Sequence, residues 1–208
     1  DDRAQVKNMT RRSIKTCTYI IAPVMMSIAF CAEPLVRLIL TEKWLPCVLF
    51  LRVFCLGYAC WPIITANMNA AKAVGRSDLY LKCQLLNEGV CILLLLATFR
   101  VSVEAIAYGM LITNIVTQIL DAQLNKKLIG YGYLEQMRDI LPTLLLAAGA
   151  GLCMYLVIFL HLPDLLTVII QVVVGLGIYL TGSAILELDT FEYFKDVLAP
   201  SIRQKLKR

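Results

Sequence analysis

EKWLPCVLFLRVFCLGYACWPIITANMNAAKAVGRSD, residues Glu42 to Asp78, holds a span of membrane-like length that carries groups a lipid core does not welcome. Arg52 stands near its outer third, Pro62 in its body, and Asn67 and Asn69 near its end. The stretch then runs into a short polar loop with Lys72, Arg76 and Asp78. Charged and amide groups inside an apolar span are costly, so each needs a partner or a function. Reading this stretch as a helix in lipid decides the fold class: all-α, integral to a membrane.

The bulk composition agrees. Of the 208 residues, 59% are hydrophobic and 17% charged, with a mean hydropathy of +0.73. Soluble domains hold about 45–50% apolar and about 25% charged residues. Crossing a hydrocarbon core of about 30 Å takes roughly 20 mostly apolar helical residues. Six stretches suffice, near 16–40, 45–69, 79–99, 102–124, 140–161 and 165–187. No long alternating pattern supports a β-barrel, and helices are the other closed solution in lipid. The expected layout is a cytoplasmic loop over 1–15, a six-helix membrane domain over 16–188 and a basic cytoplasmic tail over 189–208. The polar opening, without a signal peptide, reads as the start of the carboxyl-terminal part of a longer protein.

Lysines and arginines sort by side. Sixteen fall on the amino-terminal loop, the connections after spans two and four, and the tail; Arg37, Lys43 and Arg100 fall on the other side. Arg52, inside a span, completes the twenty. The positive-inside rule then places both ends in the cytoplasm. The same sorting points the net charge of +5 toward lipid headgroups and away from nucleic acid. The outer turns, around 41–44, 100–101 and 162–164, are very short, so the spans pair into three hairpins. The tail from Tyr193 to Arg208 reads either as a surface helix drawn to anionic lipid or as a solvated basic end.

Residues suited to catalysis are sparse, and the expectation is that the chain is not an enzyme and takes no cofactor. Cys17, Cys31, Cys47, Cys55, Cys60, Cys83, Cys91 and Cys153 lack paired spacing and histidine partners, so neither zinc nor a disulfide framework is expected. His161, the single histidine, reads as interfacial. No HExxH, dinucleotide-binding or P-loop motif occurs. Ala147, Gly149, Gly151, Gly175 and Gly177 read as packing surfaces, because small residues let membrane helices approach closely.

The intramembrane polar residues are more telling. An arginine at a helix centre costs roughly 2.5–3.5 kcal/mol on insertion scales, less when it snorkels. Arg52 therefore reads either as snorkelling or as facing a cavity, where its planar fork suits a phosphate or sugar acid. Glu33, ahead of Pro34, could approach Arg52 across the first hairpin as an ion pair. Asn114 and Gln118, four apart, give span four a polar stripe that serves interhelical bonding or a hydrophilic path. Glu88 lies near Gln84 and Asn87. Pro23 and Pro62 each remove a backbone hydrogen bond and can kink their helices.

The outer turn EKW with Pro46 after it, and the exit NxNAAKAxGRSD from Asn67 to Asp78, resemble Wzx-type oligosaccharide flippases. These belong to the superfamily that includes multidrug exporters and lipid II flippases. The resemblance implies two helical lobes of about 12–14 spans in a full member, with this chain matching the last six. It implies movement of a polyprenyl-diphosphate-linked oligosaccharide to the periplasmic leaflet of a bacterial inner membrane by alternating access. H+ or Na+ would be the driving cation, and the missing amino-terminal helices would be partners. By position it makes Arg52 the contact for an anionic sugar or diphosphate, and places Asn67, Asn69 and Lys72 at the cytoplasmic gate. Arg76 would lie near lipid phosphates. As cation or cavity candidates it leaves Glu33, Glu88, Asn114 and Gln118. Three other readings stand beside it: a polymerase or ligase of polysaccharide assembly, a drug or ion exporter on the same scaffold, and an assembly fragment with no transport of its own. The first would be expected to carry a large outer loop, the second an acidic cation site.

Overall fold

The computed structural model describes residues 2–160, 162–187 and 190–191. Among the described residues run the α-helices α1 (Asp2–Phe30), α2 (Ala32–Leu40), α3 (Cys47–Tyr58), α4 (Trp61–Ala73), α5 (Ser77–Thr98), α6 (Val103–Ile129), α7 (Tyr133–Leu156) and α8 (Asp164–Ile185). Short 3-10 turns at Glu42–Trp44 and Val157–Leu160 complete them, and the described residues contain no strand. Six stretches are long and apolar enough to cross a membrane: Asp2–Phe30, Cys47–Ala73, Ser77–Thr98, Val103–Ile129, Tyr133–Leu160 and Asp164–Ile185. The all-α membrane architecture read from the sequence is therefore the architecture observed. The calls on His161 and on the tail from Tyr193 lie outside the described residues.

The first span departs from expectation at both ends. The polar opening, expected as a loop over 1–15, is helical from Asp2. Lys7, Arg11 and Lys15 recur every fourth residue and so share one helix face. That face meets Glu135 and Asp139 of α7, with Lys7 Nζ 3.1 Å from Glu135 and Arg11 2.5 Å from Asp139. At about 1.5 Å per residue α1 is about 43 Å long, so it either tilts or projects past a core of about 30 Å. Its far end comes early. Pro34 has no N–H to offer the carbonyl of Phe30, the helix stops there, and α2 restarts beyond Cys31. Cys31 closes α1 by donating its backbone N–H to Ser27 O at 2.9 Å.

Span two is also broken. α3 ends at Tyr58, and Pro62 sits in the first turn of α4, where its missing N–H is tolerated. The kink expected at Pro62 is thus a break at Ala59–Cys60. Gly75 and Gly130, in left-handed conformation (φ 75° and 69°), turn the chain after α4 and α6.

α1 is the central helix and packs on α3, α4 and α7, with lighter contacts to α2, α6 and α8. α5 lies outermost, seated on α6 and touching α4, and buries only Cys83 and Asn87. The core has three parts. Ile14, Ile63, Ala70, Ala71, Tyr131 and Ile140 fill the end near the helix α6–α7 turn. Tyr19, Ala22, Ala59, Ala147, Ala150 and Tyr179 fill the middle. Ala32, Val36 and Val48 close the end near α2.

Small residues set several of these approaches. Phe30 lies against Gly151, Met154 against Gly175 and Leu146 against Gly182, where a Cβ would collide. Gly149 and Gly177, read from the sequence as packing residues, face open space instead.

Candidate functional site

A recurring device joins the helices: a side chain of one donates to a backbone carbonyl where its neighbour's regular helix is interrupted. Pro23, inside α1, cannot donate to Tyr19 O, and the Tyr179 hydroxyl of α8 donates to that oxygen at 2.8 Å. Gln171 Nε2 donates to Met154 O, at 3.0 Å, where α7 gives way to the 3-10 turn. Arg52 belongs to the same set. Its Nε donates to Ala29 O at 3.3 Å, in the last turn of α1 beside the Cys31 break. A cation at a helix carboxyl end also meets the negative end of the macrodipole.

Arg52 therefore answers a broken helix, and its predicted approach to Glu33 does not occur. Glu33 instead accepts from Arg37 one turn along α2, at 2.8 Å. The two carboxylate candidates named from the sequence are both surface groups. Glu33 is partly exposed, and Glu88 is exposed with Gln84 donating to it at 2.8 Å.

The polar exit of the opening stretch separates into unlike environments. Asn67 is buried in α4 and exchanges bonds with Gln136 of α7: Asn67 Nδ2 donates to Gln136 Oε1 at 3.0 Å, and Gln136 Nε2 to Asn67 Oδ1 at 2.9 Å. Asn125 Nδ2 of α6 joins them, donating to Asn67 Oδ1 at 2.8 Å and Asn67 O at 3.0 Å. Gln136 Nε2 also donates to Tyr131 O at 3.1 Å. This three-residue knot ties α4, α6 and α7 in one plane. Asn69 is exposed and lines an open groove against Met9, Thr10 and Ser13 of α1. Lys72 is exposed, with its Nζ 5.8 Å from the centre of the Tyr80 ring. Arg76 pairs with Asp78 at 3.1 Å in the exposed turn between α4 and α5. Arg52, on α3 beyond the break at Ala59–Cys60, joins none of them.

Asn114 and Gln118 of α6 do share a face. The Asn114 amide lies against Gly57 of α3, and Gln118 is buried. The stripe continues further than expected, through Asp121 and Asn125, both buried. Asp121 Oδ1 accepts from Asn87 Nδ2 at 3.1 Å and from Cys83 Sγ at 3.4 Å, both from α5. Asp121 is a buried acid inside a span, and sequence reasoning passed over it for Glu33 and Glu88. The signal was present: 114, 118, 121 and 125 follow the three-and-four spacing of one helix face.

Two clefts lie at the α6–α7 turn end. One, of about 560 Å³, is lined by Arg11, Lys15, Glu135, Arg138, Asp139 and Glu187, with the charges balanced. Tyr131 donates to Asp139 Oδ2 at 2.8 Å, and burial, then that bond, holds its phenol far above the ordinary tyrosine range. The other cleft, of about 710 Å³, is lined by Asp2, Arg3, Lys7, Lys126, Lys127 and the carboxyl end of α6, four cations against one acid. Lys7 is engaged by Gly130 O at 2.9 Å and by Glu135. Arg3, Lys126 and Lys127 have no acidic partner among the described residues.

Residues 1–49, which cover α1, α2 and the start of α3, match the model of a family described as polysaccharide biosynthesis protein. No curated protein and no solved structure matches the chain.

Proposed function

We propose that this chain is the carboxyl-terminal part of a transporter that flips a polyprenyl-diphosphate-linked oligosaccharide across a bacterial inner membrane. The observation that carries the reading is the match of residues 1–49 to a polysaccharide biosynthesis family in a chain with six span-length helices. In this reading the six helices form the end of the second lobe of a two-lobe, MATE-like protein, with both ends cytoplasmic. Alternating access moves the lobes as rigid bodies, and the polar knot of Asn67, Asn125 and Gln136 supports rigidity by fixing α4, α6 and α7 together. The cleft of Arg3, Lys126 and Lys127 suits the diphosphate better than Arg52 does, because Arg52 already serves Ala29 O.

The test is the sidedness of lipid-linked repeat units in cells that lack the gene. Accumulation of complete, unpolymerised units on the cytoplasmic face, relieved by the full-length gene, supports flipping. Accumulation on the outer face refutes it and favours the polymerase or ligase reading. Normal surface polysaccharide with altered drug or ion tolerance favours the exporter.

A further inference from the structure

Asp121 is 3% exposed, within a helix that crosses the membrane in this reading. Two donors, Asn87 Nδ2 and Cys83 Sγ, are spent on its Oδ1. Its Oδ2 is sealed from solvent and has no hydrogen-bond partner. The neighbouring amide oxygen of Asn87 is in the same condition, as is that of Asn125 one turn along α6. The site is thus rich in oxygen acceptors and short of donors. Helices α1, α3, α4, α5 and α7 pack on α6, and the titratable groups beside the Asp121 carboxyl are Cys83 and Tyr80, both of α5. Lys72 of α4 is held over the outer Tyr80 ring, and among the described residues no Lys or Arg pairs with Asp121.

An ionised carboxylate in such a place has two neutral donors on one oxygen but no counter-charge and nothing on the other, which is unfavourable. One positive charge on Oδ2 removes the deficit. A metal cation would need several hard oxygen ligands, whereas one neighbour here is a thiol, a soft group. A proton needs only Oδ2 itself. We propose that Asp121 is a proton-binding site of the membrane domain, taking up and releasing H+ at Oδ2 with no other bond made or broken. The loaded, neutral form seals the seam between α5 and α6. The ionised form draws water into it, and α5, with only two buried residues, is the helix free to yield. Use of that proton in transport rests on the flippase reading; its binding does not.

The experiment is infrared difference spectroscopy between acid and alkaline pH on the full-length protein in lipid discs, with isotopically labelled aspartate. Wild type is expected to show a protonated-carboxyl band with the aspartate isotope shift, lost on raising the pH. Asp121→Asn should lose that band, and Asp121→Glu should show one without the shift, which keeps the assignment testable if the Asn variant folds poorly. A band that persists unchanged in both variants overturns the proposal. So does an Asp121 that is ionised at every pH and whose carboxylate bands respond to sodium, which assigns a metal cation instead. Loss of the band in Asp121→Asn with unchanged, pH-independent export upholds the proton site and removes its role in transport.

Discussion

Truncating either member of the Asn67–Gln136 pair should destabilise the domain by about 2–4 kcal/mol, and the two truncations should not add. In Gln136→Ala, Asn67 Nδ2 loses its acceptor and Tyr131 O loses its side-chain donor, while Asn67 Oδ1 keeps Asn125 at 2.8 Å. One orphaned buried polar group costs about 1–3 kcal/mol, and the lost side-chain volume adds to it. In Asn67→Ala, Gln136 Oε1 is orphaned, while Gln136 Nε2 keeps Tyr131 O and Asn125 keeps Asn67 O. The double variant removes both orphans at once, so it should be more stable than the sum of the single losses. Interhelical polar contacts in membranes average about 0.6 kcal/mol and reach about 1.7, so two reciprocal bonds give a coupling of about 1–2 kcal/mol. Reversible unfolding in bicelles, followed across the four-member cycle, measures it. Additivity to within about 0.3–0.5 kcal/mol would show that the pair does not act as a unit and would refute the reasoning.

Other outcomes follow from the same geometry. Tyr179→Phe should cost about 1–3 kcal/mol in wild type, by leaving Tyr19 O without a donor, and close to nothing in Pro23→Ala, where the helix supplies its own N–H. Equal costs in the two backgrounds would sink that link. Gly151→Ala should cost about 1–3 kcal/mol through collision with Phe30 and recover with Phe30→Leu, whereas Gly149→Ala, facing open space, should be neutral or slightly stabilising in a thermal melt. Arg52→Ala should lower stability by about 1 kcal/mol, Arg52→Lys by less, and export should follow only the amount of folded protein. Unchanged stability with lost export would instead make Arg52 a ligand contact.

Run length and charge sorting made the six spans legible, because both depend on long stretches and tolerate errors of a few residues. What they missed was set by single atoms. The missing N–H of Pro34 cuts span one at Phe30, which puts the end of α1 beside Arg52 and leaves Glu33 to Arg37. Hydropathy also ended span four near 124, which left Asp121 close to an edge and Asn125 beyond it. α6 instead continues to Ile129, so Asp121 and Asn125 are packed helix residues. For the opening residues, composition said loop, but the four-residue repeat of Lys7, Arg11 and Lys15 said helix face. Of the proposed contacts only Asn67 joins a buried cluster, and its partners Asn125 and Gln136 are far from it in sequence.

The hydroxyl of Tyr179 reaches back 160 residues to the carbonyl that Pro23 leaves open. During synthesis at about 5–20 residues per second, that carbonyl waits roughly 8–32 s for its donor. Until then it must be served by water, lipid headgroups or an insertion factor, since a bare carbonyl in hydrocarbon is costly. Closure of α1 therefore waits for α8, and a chain stalled before α8 would present an open α1 to quality control.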